Sequence, residues 1–258
     1  MSSFIECCAP AVGDPQLGTW VKLPSLETVE ILALCGYDFI VIDGEHSPLT
    51  LESVYRSVAL GQALGMQVLV RVADRSGETV QRILDSGADG ILTPQVADAA
   101  VAEEVTRRMV FSSDGGTRGM GATSRAGWWG LATAVEYLEH GRTQLARVVQ
   151  LESAEALARV DEILDVPTVN AALIGLGDLT LSTGRRASDP VIRQMVAAFV
   201  AAGHERGLPC GTAVANAEAA VAAIDDGFDF VLVGNDASLF AAAAKSQLDH
   251  VRERVGIA

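Results

Sequence analysis

The chain has 258 residues, 49% of them apolar and 20% charged, and a formal net charge of −14 at pH 7. That length suits one large α/β domain or two small ones with a buried core, and the composition excludes a disordered chain. The acidic balance argues against a nucleic-acid groove or an anionic membrane surface, and no apolar run is long and unbroken enough to span a bilayer.

Cys7, Cys8, Cys35 and Cys210 have neither zinc-ligand nor C-x-x-C redox spacing. No basic segment leads into an apolar core at the N-terminus. The expectation is a reduced, cytoplasmic protein with no nucleic-acid or membrane partner.

Residues 1–16 contain Pro10 and Pro15 and no clear period; they read as an arm with one helical turn, and residues 17–258 as a single domain. A first strand is expected over 18–23, and Ser25 caps a helix that ends near Gly36. The next stretch, 38–43, runs through Phe39, Ile40, Val41 and Ile42 without alternation, as in a strand buried on both faces of a parallel sheet. It ends abruptly in Asp43, Glu45 and His46. Helix 48–64 is stopped by Gly65, and strand 67–72 carries Arg71 at its end. Helix 78–86 is stopped by Gly87, strand 90–93 is followed by Pro94, and Asp98 opens a helix to 109.

Residues 111–130 break this rhythm with a glycine-rich run and the pair Trp128-Trp129, and such a loop inside a compact domain is a functional candidate. It is not a P-loop, because no Gly-Lys-Ser/Thr closes it. A helix over 133–140 and a strand over 145–151 lead to Glu152. Helix 153–164 and strand 171–174 lead to Gly175-Leu176-Gly177-Asp178, and 180–188 reads as loop. The chain then runs through helix 189–206, strand 208–213, a helix capped by Asn216, strand 228–233 and a last helix over 236–254.

Eight strands alternating with helices predict a closed (β/α)8 TIM barrel rather than a doubly wound sheet. Residues just past the strand ends then meet in one mouth: Asp43, Glu45 and His46, Arg71, Gln150 and Glu152, and Asp178. Glu152 and Asp178 offer hard oxygen ligands for a divalent cation that a 2-oxo acid could chelate; the plainer reading is two solvated loop carboxylates. Arg71 could stabilise an oxyanion or grip a carboxylate, or form a structural ion pair with Asp43 or Glu45. His46 can move protons near neutral pH, and Gly175 and Gly177 let backbone N–H groups approach a small anion.

These residues resemble the HpcH/HpaI family of class II, metal-dependent pyruvate aldolases. The likeness runs through Gly18-Thr19-Trp20-Val21, Ile42-Asp43-Gly44-Glu45-His46, Val70-Arg71-Val72, Leu84-Asp85-Ser86-Gly87, Pro94-Gln95-Val96, Arg118-Gly119, Gln150-Leu151-Glu152 and Asp178-Leu179. It implies reversible cleavage of a 4-hydroxy-2-oxo acid to pyruvate and an aldehyde through a metal-bound pyruvate enolate. Glu152 and Asp178 would hold Mg2+, Mn2+ or Co2+, Arg71 the enolate oxygen, and His46 the C4 hydroxyl proton. Asp43 would lie beside them, and Asp85 would be lent to the histidine of a neighbouring subunit. Gln150 and the amides around Gly175 and Gly177 would contact the pyruvate part. It also implies a homo-oligomer, trimer or hexamer, exchanging its last helix.

No lysine Schiff base is needed on this pattern, and Lys22 and Lys245 read as poorly placed for one. The chain departs from the family in having Leu176-Gly177 for Pro-Ala or Pro-Asn and Ala73 for a proline. A related lyase or decarboxylase using the same enolate, such as an oxaloacetate decarboxylase or a macrophomate-synthase-like enzyme, is the alternative; a non-catalytic barrel is a third reading.

Overall fold

The computed structural model describes residues 2–10 and 14–257. Eight strands, all parallel, close in chain order into a barrel. They are β1 Gln16–Val21, β2 Phe39–Asp43, β3 Gln67–Arg71, β4 Gly90–Thr93, β5 Ala146–Leu151, β6 Ala171–Ile174, β7 Cys210–Val214 and β8 Phe230–Asn235. The helices are α1 Phe4–Cys7, α2 Leu26–Leu34, α3 Leu51–Ala63, α4 Gly77–Asp85, α5 Ala99–Arg107, α6 Ala134–Thr143, α7 Ala154–Leu157, α8 Val160–Leu164, α9 Leu176–Thr183, α10 Pro190–Glu205, α11 Ala217–Asp225 and α12 Asp236–Val255. Side-chain oxygens of Ser25, Thr50, Ser76, Asp98, Asp189 and Asn216 accept first-turn N–H groups, which is why these helices start where they do.

Alternation along the strands decides which residues reach the centre. Successive side chains point to opposite faces, so every second residue enters the barrel. Trp20, Phe39, Val41, Leu69, Leu92, Val148, Leu173 and Phe230 pack together inside, while Ile40, Ile42, Val68, Val70 and Ile91 pack outward under the helices. Continuing the inward series one step past the apolar layers gives Lys22 after Trp20, Asp43 after Val41, Arg71 after Leu69, and Gln150 then Glu152 after Val148. Apolar side chains thus fill the barrel, and ionisable ones crown its C-terminal end.

The N-terminal arm belongs to this core. Ser3 and Glu6 form a capping box for α1. Phe4 then enters the opposite end of the barrel, its ring centroid 5.2 Å from those of both Phe39 and Phe230. Gly18 leaves room for the Phe39 ring, which a Cβ there would strike. The rest of the expected arm includes residues 11–13, which lie outside the described residues.

Two expectations change, and the 111–130 loop, which the sequence left unplaced, is located. The segment after β6, read as a glycine-rich turn and then loop, is α9. Hydroxyls of Thr180 and Thr183 bond back to the carbonyls of Gly177 and Leu179, so residues of modest helix propensity are held in helix. Helix 153–164 is broken into α7 and α8 at Arg159, whose φ of −116° and ψ of 21° leave the helical region. The 111–130 loop follows α5 and therefore leaves from the N-terminal end of the barrel, away from the mouth. Arg125 ties it to Gln62 at the end of α3 (2.6 Å) and to the Ser86 carbonyl after α4 (3.2 Å).

The last helix stands apart from its barrel. Asp236 is its one buried residue, and Phe240, Leu248, Val251 and Val255 are exposed. Between α2 and α11, where an eighth helix would pack, lies a largely apolar groove of about 770 Å³ lined by Ile31, Cys35, Val221, Leu239 and Phe240 among others. Among the described residues no helix is long and apolar enough to cross a membrane.

Candidate active site

β2 and β3 pair in register, with Asp43 opposite Arg71. Both side chains point inward, so the guanidinium meets the carboxylate squarely: Nε donates to Oδ1 at 2.9 Å and Nη2 lies 2.8 Å from Oδ2. Nη1 lies 3.1 Å from Glu45 Oε2, and the guanidinium carbon sits 4.2 Å from the centre of the Trp20 ring. The ion pair weighed as an alternative role for Arg71 is therefore present, with both acids at once. It leaves the guanidinium fixed in the mouth.

Asp43 is fully buried and anchors the turn after β2. Its Oδ1 accepts the backbone N–H groups of Glu45 (3.1 Å) and His46 (3.2 Å). Its Oδ2 also accepts from Lys22 Nζ. Burial pushes this carboxyl toward neutrality, but hydrogen bonds from Arg71 and Lys22, the Arg71 charge and the His46 amide overcome it and hold the pKa at about 2. Lys22, considered from the sequence only as a Schiff-base candidate, is thus part of the site as an ion-pair partner of Asp43. The signal for it was the inward series Gly18, Trp20, Lys22.

A second half of the site adjoins the first. Glu152 Oε1 accepts the Gln95 N–H at 2.8 Å, and its Oε2 accepts from Gln150 Nε2. Gln95 Nε2 reaches Glu45 Oε1 at 3.2 Å, so a continuous chain of polar contacts runs from Lys22 through Asp43, Arg71, Glu45 and Gln95 to Glu152 and Gln150. Gln95 adopts a left-handed φ of 57°, which turns its amide toward Glu152. Nothing in the sequence marks that conformation, because the residue is neither Gly nor Asn. Gly175 closes over the pair: a Cβ there would lie 2.7 Å from Glu152 Cβ and 3.0 Å from Gln150 Nε2.

Asp178 sits in the first turn of α9, beside Glu152. Burial raises the Glu152 pKa and the Asp178 charge raises it further, against hydrogen bonds from Gln150 and Gln95. Among the described residues neither carboxylate makes a salt bridge. Gln150, 3% exposed, keeps its Oε1 without a partner. Two neighbouring carboxylates without a salt bridge, and the orphaned amide oxygen of Gln150 next to Glu152, fit a divalent cation and an incoming polar ligand. Among the described residues no three His, Cys, Asp or Glu side chains gather as a complete metal cage. A cation here would draw its remaining ligands from water or substrate.

His46 is exposed at the rim, with Nε2 3.7 Å from Glu45 Oε2. Asp85 does not join the group within one chain. It ends α4, at the far end of the barrel, where Gln81 Nε2 donates to it at 2.9 Å. It faces the 112–121 loop, in which Arg118 is buried against the rings of Phe111 (4.3 Å) and Tyr137 (5.6 Å). Trp128 and Trp129 are exposed on that same loop rather than lining the mouth of their own barrel.

A parallel eightfold barrel with a carboxylate pair, a fixed guanidinium and an imidazole at the C-terminal ends of its strands defines an enzyme of the (β/α)8 class. Residues 16–243 match the family described as HpcH/HpaI aldolase/citrate lyase. The chain belongs to that family and is a carbon–carbon lyase. It is 32% identical over 237 residues to a 4-hydroxy-2-oxo-heptane-1,7-dioate aldolase of Escherichia coli, covering 91% of this chain and 89% of the relative. It is 31% identical over 239 residues to a 2-keto-3-deoxy-L-rhamnonate aldolase of Escherichia coli, covering 92% and 88%. An HpcH/HpaI aldolase/citrate lyase family protein from Burkholderia cenocepacia superposes with a TM-score of 0.85 at 30% identity, over 93% of this chain and 95% of that one. An HpcH/HpaI aldolase from Desulfitobacterium hafniense superposes at 0.87 and 25%, over 94% and 95%.

Proposed function

We propose that the protein is a class II aldolase that cleaves a 4-hydroxy-2-oxo acid reversibly to pyruvate and an aldehyde. The observation that carries the reading is the pair Glu152 and Asp178: two carboxylates close enough for the charge of Asp178 to raise the Glu152 pKa, neither in a salt bridge among the described residues, with a fixed guanidinium in the same mouth. Glu152 and Asp178 would hold a divalent cation such as Mg2+, Mn2+ or Co2+. Bound there, it supplies a Lewis acid for the 2-oxo acid.

The chain's own groups do the rest. Gln150 and the N–H groups around Gly175 and Gly177, at the start of α9, orient the substrate carboxylate. Arg71, immobilised by Asp43 and Glu45, donates to the C2 oxygen as negative charge develops on it. His46 takes the proton from the C4 hydroxyl. The C3–C4 bond then breaks, its electrons move into the C2–C3 bond, and the aldehyde leaves. Protonation at C3 releases pyruvate. Asp85, remote within its own chain, would serve His46 of a neighbouring subunit.

Assembly follows from α12. Its exposed apolar residues and the groove between α2 and α11 are complementary, so a homo-oligomer, trimer or hexamer, would seat one subunit's α12 in the groove of the next. All four cysteines are unpaired, as suits a reducing cytoplasm.

The test is pyruvate release from a panel of 4-hydroxy-2-oxo acids and from oxaloacetate, with and without added divalent cation. Turnover of oxaloacetate alone would replace the aldolase reading with a decarboxylase. Calorimetry showing no Mg2+ or Mn2+ binding even at millimolar concentrations would remove its central element.

A further inference from the structure

Lys22 occupies a position that the reaction outlined above leaves without a task. It stands one residue past β1, and its Nζ lies between the Asp43 carboxylate and the His46 carbonyl oxygen, 3.5 Å from the latter. Its side chain is about one quarter exposed, while Asp43 is wholly buried. The backbone carrying it is held as firmly. Asp236, buried at the start of α12, accepts the N–H groups of Lys22 at 2.9 Å and Leu23 at 3.0 Å.

We propose that Lys22 is a positioning residue of the active site: its ammonium fixes the Asp43 anion on which both the Arg71 guanidinium and the His46 turn are built. The charge count supports this. Asp43 is faced by Arg71 from β3, Lys22 from β1, and Glu45 and His46 from its own turn; Asp236 lies behind Lys22. Arg71 is shared with Glu45, so one cation serves two acids. Lys22 supplies a second positive charge, so that Asp43 and Glu45 meet two cations rather than one. Without it, a buried carboxylate competes with Glu45 for one guanidinium, and Arg71 is free to shift away from the C2 oxygen. Misplacement of a reacting group by about 1 Å can lower a rate by about a hundredfold. No nucleophilic role is assigned to the amine.

The inference rests on the aldolase reading for its kinetic assay but not for its structural one. In K22M, turnover of a 2-oxo acid falls by about tenfold or more while KM changes by less than about twofold, the pattern of a lost transition-state contact. The acid limb of the kcat profile moves to higher pH. K22R regains part of the activity, and ethylammonium restores K22A saturably. Acid unfolding begins at higher pH in K22M than in the wild type, with K22R in between. Unchanged turnover and an unchanged acid limb in K22M would overturn the proposal. So would K22R no better than K22M together with no rescue of K22A by ethylammonium. If K22M does not fold, K22R and the amine rescue of K22A decide. Should the wild type turn over no 2-oxo acid at all, the aldolase reading fails by itself, and acid unfolding still judges whether Lys22 holds Asp43.

Discussion

Arg71→Ala tests stability and chemistry together. Arg71 gives Asp43 two charge-assisted contacts, gives Glu45 a third, and stacks on Trp20. A carboxyl held at about 2 rather than near its ordinary 3.8 contributes roughly 2–3 kcal/mol at neutral pH. That figure is net of a large burial penalty. Removing Arg71 discards the attraction and leaves the penalty, so the loss is larger, about 3–5 kcal/mol as for other broken buried pairs. For a domain of this size it lowers Tm by about 6–20 °C. Asp43 has a depressed pKa, so the stability it lends is complete above its unfolded value and disappears as pH falls through about 2. In the variant its carboxyl rises, and acid unfolding starts at higher pH. Turnover falls separately, by about 10²–10³, as for loss of one oxyanion donor. Cation binding, which we assign to Glu152 and Asp178, is expected to persist. Scanning calorimetry at several pH values, isothermal titration with Mn2+ and steady-state rates measure the three effects. A variant that melts with the wild type and turns over at a similar rate would refute both the network and the assigned role.

Adding Mn2+ or Mg2+ raises Tm, and more at pH 7.5 than at pH 5. Burial and Asp178 raise the Glu152 pKa, so without a cation folded stability falls as pH climbs through the raised value, and the bound ion reverses this. Glu152→Gln removes the thermal gain, and an undiminished gain would show that the cation binds elsewhere. Phe4→Ala opens the closed end of the barrel and lowers stability by about 3–5 kcal/mol, read by thermal melting; a smaller loss would mean that the arm is not part of the core. Phe240→Asp puts a charge on the exposed face of α12. Sedimentation velocity should then show a smaller species than the wild type, and an unchanged species would exclude this face from assembly.

The barrel and its mouth were legible because both follow from short periods. Runs such as Phe39–Ile42 show burial on two faces, glycines and cap residues show where helices stop and start, and an ionisable residue at a strand end has one direction to face. What was not legible is how the charges share one another. Asp43, Glu45, Arg71 and Lys22 admit several pairings on paper. The register that sets Asp43 opposite Arg71, with Lys22 inward on the neighbouring strand, selects one. Gln95 was unreadable for a different reason: its left-handed backbone and both its contacts arise from tertiary context. Asp85 and the 111–130 loop show the limit of reasoning by motif. Both sit in stretches that match the family, yet helix direction carries them to the end of the barrel opposite Glu152. If they act in catalysis, they act across a subunit boundary. Activity should then follow assembly, and a variant that dissociates the oligomer should lose turnover while its own mouth stays intact.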